Sequence, residues 1–301
     1  QGSAQRFIDH LTFILDGNLA AVEHLLNWMA FTLQNPGKKL ASAVLIIGGQ
    51  GVGKSLIGEF HATLVGRDNT AFMDAGMLGS AFNGQLMSCN LVVVNEYNAS
   101  IGRAGYAVMK HLITGETIFI NQKGVAVFQI QNRCNFLLFS NDLDAAKLDS
   151  DDRRYFVWHS HASKKPQEYY SELCDWFYGE GKHHVLDYLL SRDLSDFNPY
   201  AAPPQTAARA ALIRESMNDQ IQALYDALEM GAPPFDSELV IIADAIEYLN
   251  GLKGPRYSVR HLSTFLRAQG AEEIGQRRIV DRDGTVRKPR VWALDNVERW
   301  R

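Results

Sequence analysis

The stretch Gly48-Gly49-Gln50-Gly51-Val52-Gly53-Lys54-Ser55 decides how the rest of the chain is read. Glycines at its first and sixth positions, followed by Lys-Ser, have the spacing of a loop that wraps a phosphate with backbone N–H groups. Glycine suits the task because a Cβ forbids several of the backbone conformations required. In such a loop Lys54 reaches the β- and γ-phosphates and the Ser55 hydroxyl binds Mg²⁺. The flanks agree. Ala43–Ile47 is an apolar run of the length of a buried strand. Ser55–His61 reads as the opening turns of a helix, whose N-terminal end favours an anion. Strand, loop and helix in this order predict a site for ATP and Mg²⁺ built from Gly48 to Ser55.

The chain has 301 residues, 46% apolar and 21% charged, the composition of an ordinary globular protein. No apolar run approaches the roughly 20 residues that span a bilayer, so no membrane partner is expected. Cys89, Cys134 and Cys174 have no metal-ligand spacing and are odd in number, which points to a reduced, cytoplasmic setting. Gln1-Gly2-Ser3 reads as a cloning remnant, so the chain is expected to be a piece of a longer protein. The net charge of −4 hides an asymmetry: residues 253–301 hold twelve Lys/Arg against six Asp/Glu, a balance of +6, which leaves −10 for the remainder. A basic tail on an acidic body suits an anionic partner.

Two amphipathic helices are predicted over Phe7–Leu15 and Leu19–Leu33, ended by Asn35-Pro36-Gly37. Short apolar runs at Thr70–Met73, Leu91–Val94, Phe136–Phe139 and Arg154–Trp158 read as further strands, with a helix at Ala104–Ile113. Ile118–Ile120 and Val125–Phe128 flank the polar tip Asn121-Gln122-Lys123-Gly124 and read as a β-hairpin. Helices follow at Gln167–Phe177 and His183–Leu190, then a long one at Ala207–Met230. The last part reads as helices at Leu239–Leu249 and Val259–Ala268, then strands at Arg278–Val280 and Arg290–Leu294 around a turn at 281–284. The expected organisation is a helical lead-in (1–38), an α/β core of five mainly parallel strands between helices (39–162), a helical linker (163–232) and a winged-helix-like basic domain (233–301).

Polar residues at strand ends narrow the chemistry. Asn95-Glu96 closes one buried strand, where an ATPase handles Mg²⁺ and the attacking water. Glu96 is the candidate water activator and Asn95 stands where an acid is usual. Asn141 closes a second strand and fits a residue between γ-phosphate and water. Arg153 and Arg154 precede the fifth strand, after Asp151-Asp152. An arginine at a subunit edge can reach a neighbour's γ-phosphate, whereas a local salt bridge would engage it at home; Arg154 is the first candidate and Arg153 the second.

This ordered set resembles the superfamily 3 helicase domain of phage and plasmid primase-helicases, a branch of the AAA+ ATPases. Ala81–Leu86, Leu112–Glu116, the segment with Lys123-Gly124, and Asn135–Asn141 before the paired arginines carry the likeness, which covers most of Leu19–Trp158. The resemblance implies an AAA+-like core and a homo-oligomeric ring, expected to be a hexamer, with ATP between subunits. It implies a hairpin whose Lys123 and Gly124 line a channel around single-stranded DNA, an arginine acting in trans, and 3′ to 5′ travel. It also implies an upstream primase or polymerase domain, and a setting in a bacterial or phage-infected cell. Asn95 departs from the pattern.

Charge alone adds a second DNA candidate. Arg277, Arg278, Arg282, Arg287, Lys288 and Arg290 lie on the C-terminal hairpin, and a wing of this kind can follow a duplex backbone. The leading expectation is an ATP-dependent DNA helicase of a phage, plasmid or other mobile element. The alternative is an ATP-regulated replication initiator or loader that does not unwind processively. A GTPase is disfavoured by the lack of Asn-Lys-x-Asp, and a kinase by the lack of an arginine-rich lid.

Overall fold

The computed structural model describes residues 3–78, 80–98, 102–142, 148, 152–216, 219–252, 256–280 and 283–300. Contacts divide the chain into two compact units, Gln1–Ser216 and Met217–Arg301.

The first unit opens with helices α1 (Gln5–Ile14) and α2 (Leu19–Gln34). The Asn18 side chain caps α2 by accepting the Ala21 N–H at 3.0 Å. Then come β1 (Ala43–Gly48), α3 (Lys54–Val65), β2 (Thr70–Met73), α4 (Ala75–Leu78), β3 (Leu91–Val94), α5 (Gly102–Thr114), the ribbon β4 (Thr117–Ile120) and β5 (Phe128–Gln131), β6 (Asn135–Ser140) and β7 (Tyr155–Ser160). Helices α6 (Gln167–Trp176), α7 (Lys182–Leu190) and α8 (Ala207–Ser216) complete it.

Five strands form one sheet in the order β2-β3-β6-β1-β7, and every pairing is parallel. All residues of β1, β3 and β6 are buried. That is the mark of central parallel strands covered on both faces, and it explains why their sequences are unbroken apolar runs. On one face, Val44, Ile46, Val93, Leu137 and Phe139 join Trp28, Phe60 and Phe177 in a single core with α1, α2, α3 and α7. Phe60 and Phe177 stack at 3.9 Å.

Several sequence expectations shift. The hairpin's second strand is Phe128–Gln131, not Val125–Phe128, because Ile118 pairs with Ile130 and Ile120 with Phe128. This register sets apolar side chains opposite one another. It leaves Val125 and Val127 exposed in a wider loop with Lys123. The expected single helix Ala207–Met230 is helical on both sides of 217–218, which lie outside the described residues; its halves fall in different units.

The second unit contains α9 (Asp219–Glu229), β8 (Leu239–Ile241), α10 (Ile242–Gly251), α11 (Val259–Ala268), β9 (Glu272–Gln276), β10 (Ile279–Val280), β11 (Val286–Arg287), β12 (Arg290–Ala293) and α12 (Val297–Trp300). Leu224 of α9 is buried in this unit's core with Phe235, Leu262, Phe265 and Trp292. The unit therefore begins ahead of Pro233-Pro234, the expected boundary. Leu239–Ile241 is a strand rather than the start of a helix, since it pairs with β12. The strand at Arg290–Ala293 does not pair with Ile279–Val280; it lies between β8 and β9, and β10 pairs with β11 instead. A strand buried at Val291, Trp292 and Ala293 is better satisfied inside a three-stranded sheet than at the edge of a ribbon.

Candidate functional site

The glycine loop follows β1 at the C-terminal edge of the sheet, where open α/β sheets form their crevices. Gly51 and Gly53 hold φ of +77° and +98°, a region open to glycine and costly for other residues. Gly48 is constrained by space: a Cβ there would lie 2.9 Å from the Ser160 carbonyl oxygen of β7. Gly53 caps α3 in the left-handed conformation, so its N-terminal amides face the loop. Gly49, Gln50, Gly51 and Ser55 are exposed, while Val52 is buried and packs the loop onto the core.

Lys54 is only 5% exposed. Its ammonium donates to the Gly48 carbonyl at 2.7 Å, the Gly49 carbonyl at 2.6 Å and Asn141 Oδ1 at 3.1 Å. Burial pulls its pKa below the ordinary lysine value. Two residues 87 apart in sequence thus meet under the loop, because β1 and β6 are neighbours and end at the same edge. The third strand end joins them. The Tyr97 N–H donates to the Phe139 carbonyl at 2.8 Å and the Asn95 N–H to the Met73 carbonyl at 3.0 Å. These bonds hold Glu96 exposed at φ +56°. A non-glycine residue there is strained, and such strain concentrates at working sites. Asn95 Oδ1 is buried without a hydrogen-bond partner among the described residues. An orphaned acceptor next in sequence to an exposed carboxylate, with the Ser55 hydroxyl exposed on the loop, fits a divalent cation carrying waters. The arrangement can hold a polyphosphate on backbone amides, neutralise it with Lys54, and offer Glu96 as a base.

The two arginines differ. Arg154 is tied to Asp152, whose Oδ1 accepts its backbone N–H at 2.9 Å and its Nη1 at 3.1 Å. Asp152 is itself buried; its Oδ2 accepts the Tyr106 hydroxyl, and its carbonyl accepts Arg209 Nε at 3.1 Å. Arg153 is exposed. Of the two, Arg153 is the one left to reach outward.

The motif at Ala81–Leu86 turns out to clamp the ribbon. Asn83 Oδ1 accepts the Asn121 N–H at 2.8 Å, Asn83 Nδ2 donates to the Phe119 carbonyl at 2.8 Å, and Asn121 Nδ2 donates to the Ala81 carbonyl at 2.9 Å. Lys123 is exposed in the loop so held, and Gly124 takes φ +79°.

In the second unit Arg277, Arg278, Lys288 and Arg290 are exposed. Arg277 donates to the Trp300 carbonyl at 3.2 Å, and Arg290 lies 3.7 Å from Glu273. Arg287 is a fork onto Asp244, with bonds of 2.5 and 2.6 Å, so its charge is already matched. Arg282 lies outside the described residues.

The sequence reading missed the loop's outer support. His10 of α1 donates from Nε2 to the Gly53 carbonyl at 3.1 Å and accepts the Tyr169 hydroxyl at Nδ1, 3.0 Å away. The carbonyl can only accept, so the proton sits on Nε2. Burial holds the His10 pKa at about 4 and keeps the ring neutral. Tyr170 and Lys164 also close on the loop. None of these three has a local signal, because contact with residues 43 to 117 positions away is a property of the fold. Among the described residues, no cluster of three or more His, Cys, Asp or Glu could hold a metal, and no helix is long and apolar enough to cross a membrane.

Residues 46–154, from the glycine loop to the paired arginines, match a family of unknown function, DUF5906. The DNA primase-polymerase of Nitratiruptor phage NrS-1 is 28% identical over 161 residues, which is 52% of this chain and 22% of that protein. Two apo structures of the NrS-1 C-terminal region superpose with TM-scores of 0.71 and 0.69. They cover 98% of this chain and 77% and 76% of theirs, at 17% and 18% identity, a likeness of fold. The chain thus shares its α/β architecture with that region, and it spans about a fifth of the length of the curated relative.

Proposed function

We propose that this chain is the ATP-driven motor region of a phage-type replication protein, acting as a superfamily 3 DNA helicase. The observation that carries the reading is the Lys54 ammonium bridging the loop carbonyls and Asn141 at the shared end of β1 and β6. A buried ammonium needs acceptors, and two loop carbonyls and an amide oxygen supply them. When ATP arrives, the loop amides take the phosphate chain, Lys54 swings from the carbonyls to the β- and γ-oxygens, and Asn141 is freed to orient water. Glu96 takes the water's proton. Ser55, with Asn95 and Glu96 acting through water, would hold a Mg²⁺ ion, which would supply charge neutralisation for the phosphates. Arg153, exposed ahead of β7, would act on a neighbouring copy's γ-phosphate in a ring, expected to be hexameric.

The clamped ribbon offers Lys123 to single-stranded DNA. The phage primase-polymerase relative supports replication as the setting, with a primase or polymerase segment elsewhere in the natural protein. In the second unit, the order β8-α10-α11-β9-β12 with a short β10–β11 ribbon supports a winged-helix-like module for duplex DNA. That unit, with Asn95 in place of an acid, favours the second reading: an ATP-regulated initiator or loader without processive unwinding.

The test is steady-state ATP hydrolysis with and without single-stranded DNA over a range of protein concentrations, beside a strand-displacement assay. Hydrolysis stimulated by DNA and rising steeply with protein concentration is expected for a ring motor with shared sites. Slow turnover with duplex binding and no displacement selects the loader. Unchanged ATP binding in Lys54→Ala removes both.

A further inference from the structure

We propose that Lys164 is a second phosphate-binding cation, closing the glycine loop from its outer face. The inference rests on the loop being a nucleotide site.

At Gly51 the loop presents no side chain, and Lys164 fills the approach to it. A Cβ on Gly51 would sit 3.4 Å from Lys164 Cδ, 3.5 Å from Cε and 3.7 Å from Nζ. The lysine therefore runs across the middle of the loop with its ammonium beside the backbone. It is exposed, so its charge is available to a ligand.

The segment that carries it is fixed to the loop. The Lys165 N–H donates to the Tyr170 hydroxyl at 3.0 Å, and the Tyr170 ring lies 2.9 Å from where a Gly53 Cβ would be. The Lys165 ammonium sits 4.2 Å over Phe13 and 4.1 Å over Tyr169. Tyr169 in turn meets His10, which holds the Gly53 carbonyl. Of two adjacent lysines, one is engaged by aromatic faces and the other is held over the phosphate loop.

Position then separates the two loop lysines. Lys54 lies on the side of Asn141, where the γ-phosphate belongs. Lys164 descends from the segment after β7, and β7 flanks β1 on the side opposite β6. A phosphate chain on the loop would meet Lys54 at its terminal end and Lys164 nearer the nucleoside. Lys164 therefore contacts the α- and β-phosphates, and nucleoside diphosphate and triphosphate should feel it alike.

The experiment is fluorescence titration of the 301-residue chain with N-methylanthraniloyl-ADP and the matching ATP analogue. The variants are Lys164→Ala, Lys164→Arg and Lys54→Ala, each with its thermal midpoint. A lost charge-assisted contact in Lys164→Ala should raise Kd about tenfold for both nucleotides, with Lys164→Arg recovering most of it and the midpoint unmoved. Binding by Lys164→Ala within twofold of the parent, while Lys54→Ala fails to bind, overturns this inference and leaves the nucleotide site standing. A loss that arginine does not recover, or one that tracks a lower midpoint, assigns Lys164 a structural role and overturns it too. Full binding by Lys54→Ala overturns both.

Discussion

Acidification should destabilise the first unit before its carboxylates protonate, and the size of the effect follows from its histidines. His10 and His61 are fully buried, and burial holds their pKa values at about 4 and about 3 against an ordinary 6.5. Both are neutral in the folded unit. Once the chain unfolds, each imidazole titrates near its ordinary value. Between pH 6.5 and 4 the unfolded chain therefore binds protons that the folded unit refuses. Stability is present above pH 6.5 and falls as pH drops toward the folded values. At pH 5 each ring is about 1.5 pH units below its unfolded pKa, which costs about 2 kcal/mol per ring and about 4 kcal/mol for the pair. His24 is displaced in the same direction by burial and adds to the loss. Against a typical domain stability of about 5–15 kcal/mol, the loss is a large fraction. The assay is urea unfolding at pH 7 and pH 5, read by hydrogen exchange in peptides covering β1 and β6, which reports on the first unit alone. His10→Gln, which carries no titratable proton, should shrink the difference. Equal stability at the two pH values would refute the reasoning, and so would a loss that appears only below pH 4.

Gly58→Ala gains up to about 1 kcal/mol of helix propensity. The new Cβ, however, would lie 2.7 Å from Phe139 Cε2 and 2.9 Å from Val93 Cγ1. Overpacking at about 1–3 kcal/mol should win, and an unchanged or higher urea midpoint would show that Phe139 yields. Arg154→Ala strips a partner from buried Asp152 and should cost about 1–3 kcal/mol of stability. Arg153→Ala should leave the midpoint alone and lower ATP turnover by about 10³-fold or more. The reverse pattern, in melting curves and hydrolysis rates, would move the trans arginine back to Arg154. Lys123→Ala should weaken single-stranded DNA binding and flatten the slope of log K against log salt by about 0.7; an unchanged slope takes the ribbon out of the interface.

Much of the first unit was legible because its signals are local. Ala43–Ile47, Leu91–Val94 and Phe136–Phe139 are unbroken apolar runs because each strand is buried on both faces, and burial of that kind leaves no other composition. The glycine loop was legible because positive φ at Gly51 and Gly53 restricts those positions to residues without a Cβ. The order of Lys54, Glu96 and Asn141 was also open to sequence, as polar residues at the ends of such runs. The second unit was harder. Its strands are short and partly exposed, so apolar pattern alone did not say that Arg290–Ala293 would pair with Leu239–Ile241 rather than with Ile279–Val280.

Where the strands run, where the loop turns and which side chains close the strand ends are legible from the chain alone. All of these depend on a residue's own neighbours in the chain. The tertiary structure decided which cations are already paired. Asp152 engages Arg154 rather than Arg153, Asp244 engages Arg287, and Phe13 and Tyr169 engage Lys165 while Lys164 stays over the loop. Coulomb attraction and cation–aromatic contact act over a few ångströms of space. Spacing along the chain already offers Arg154 its neighbour Asp152, but strand order and helix packing bring Asp244 to Arg287 and Phe13 to Lys165.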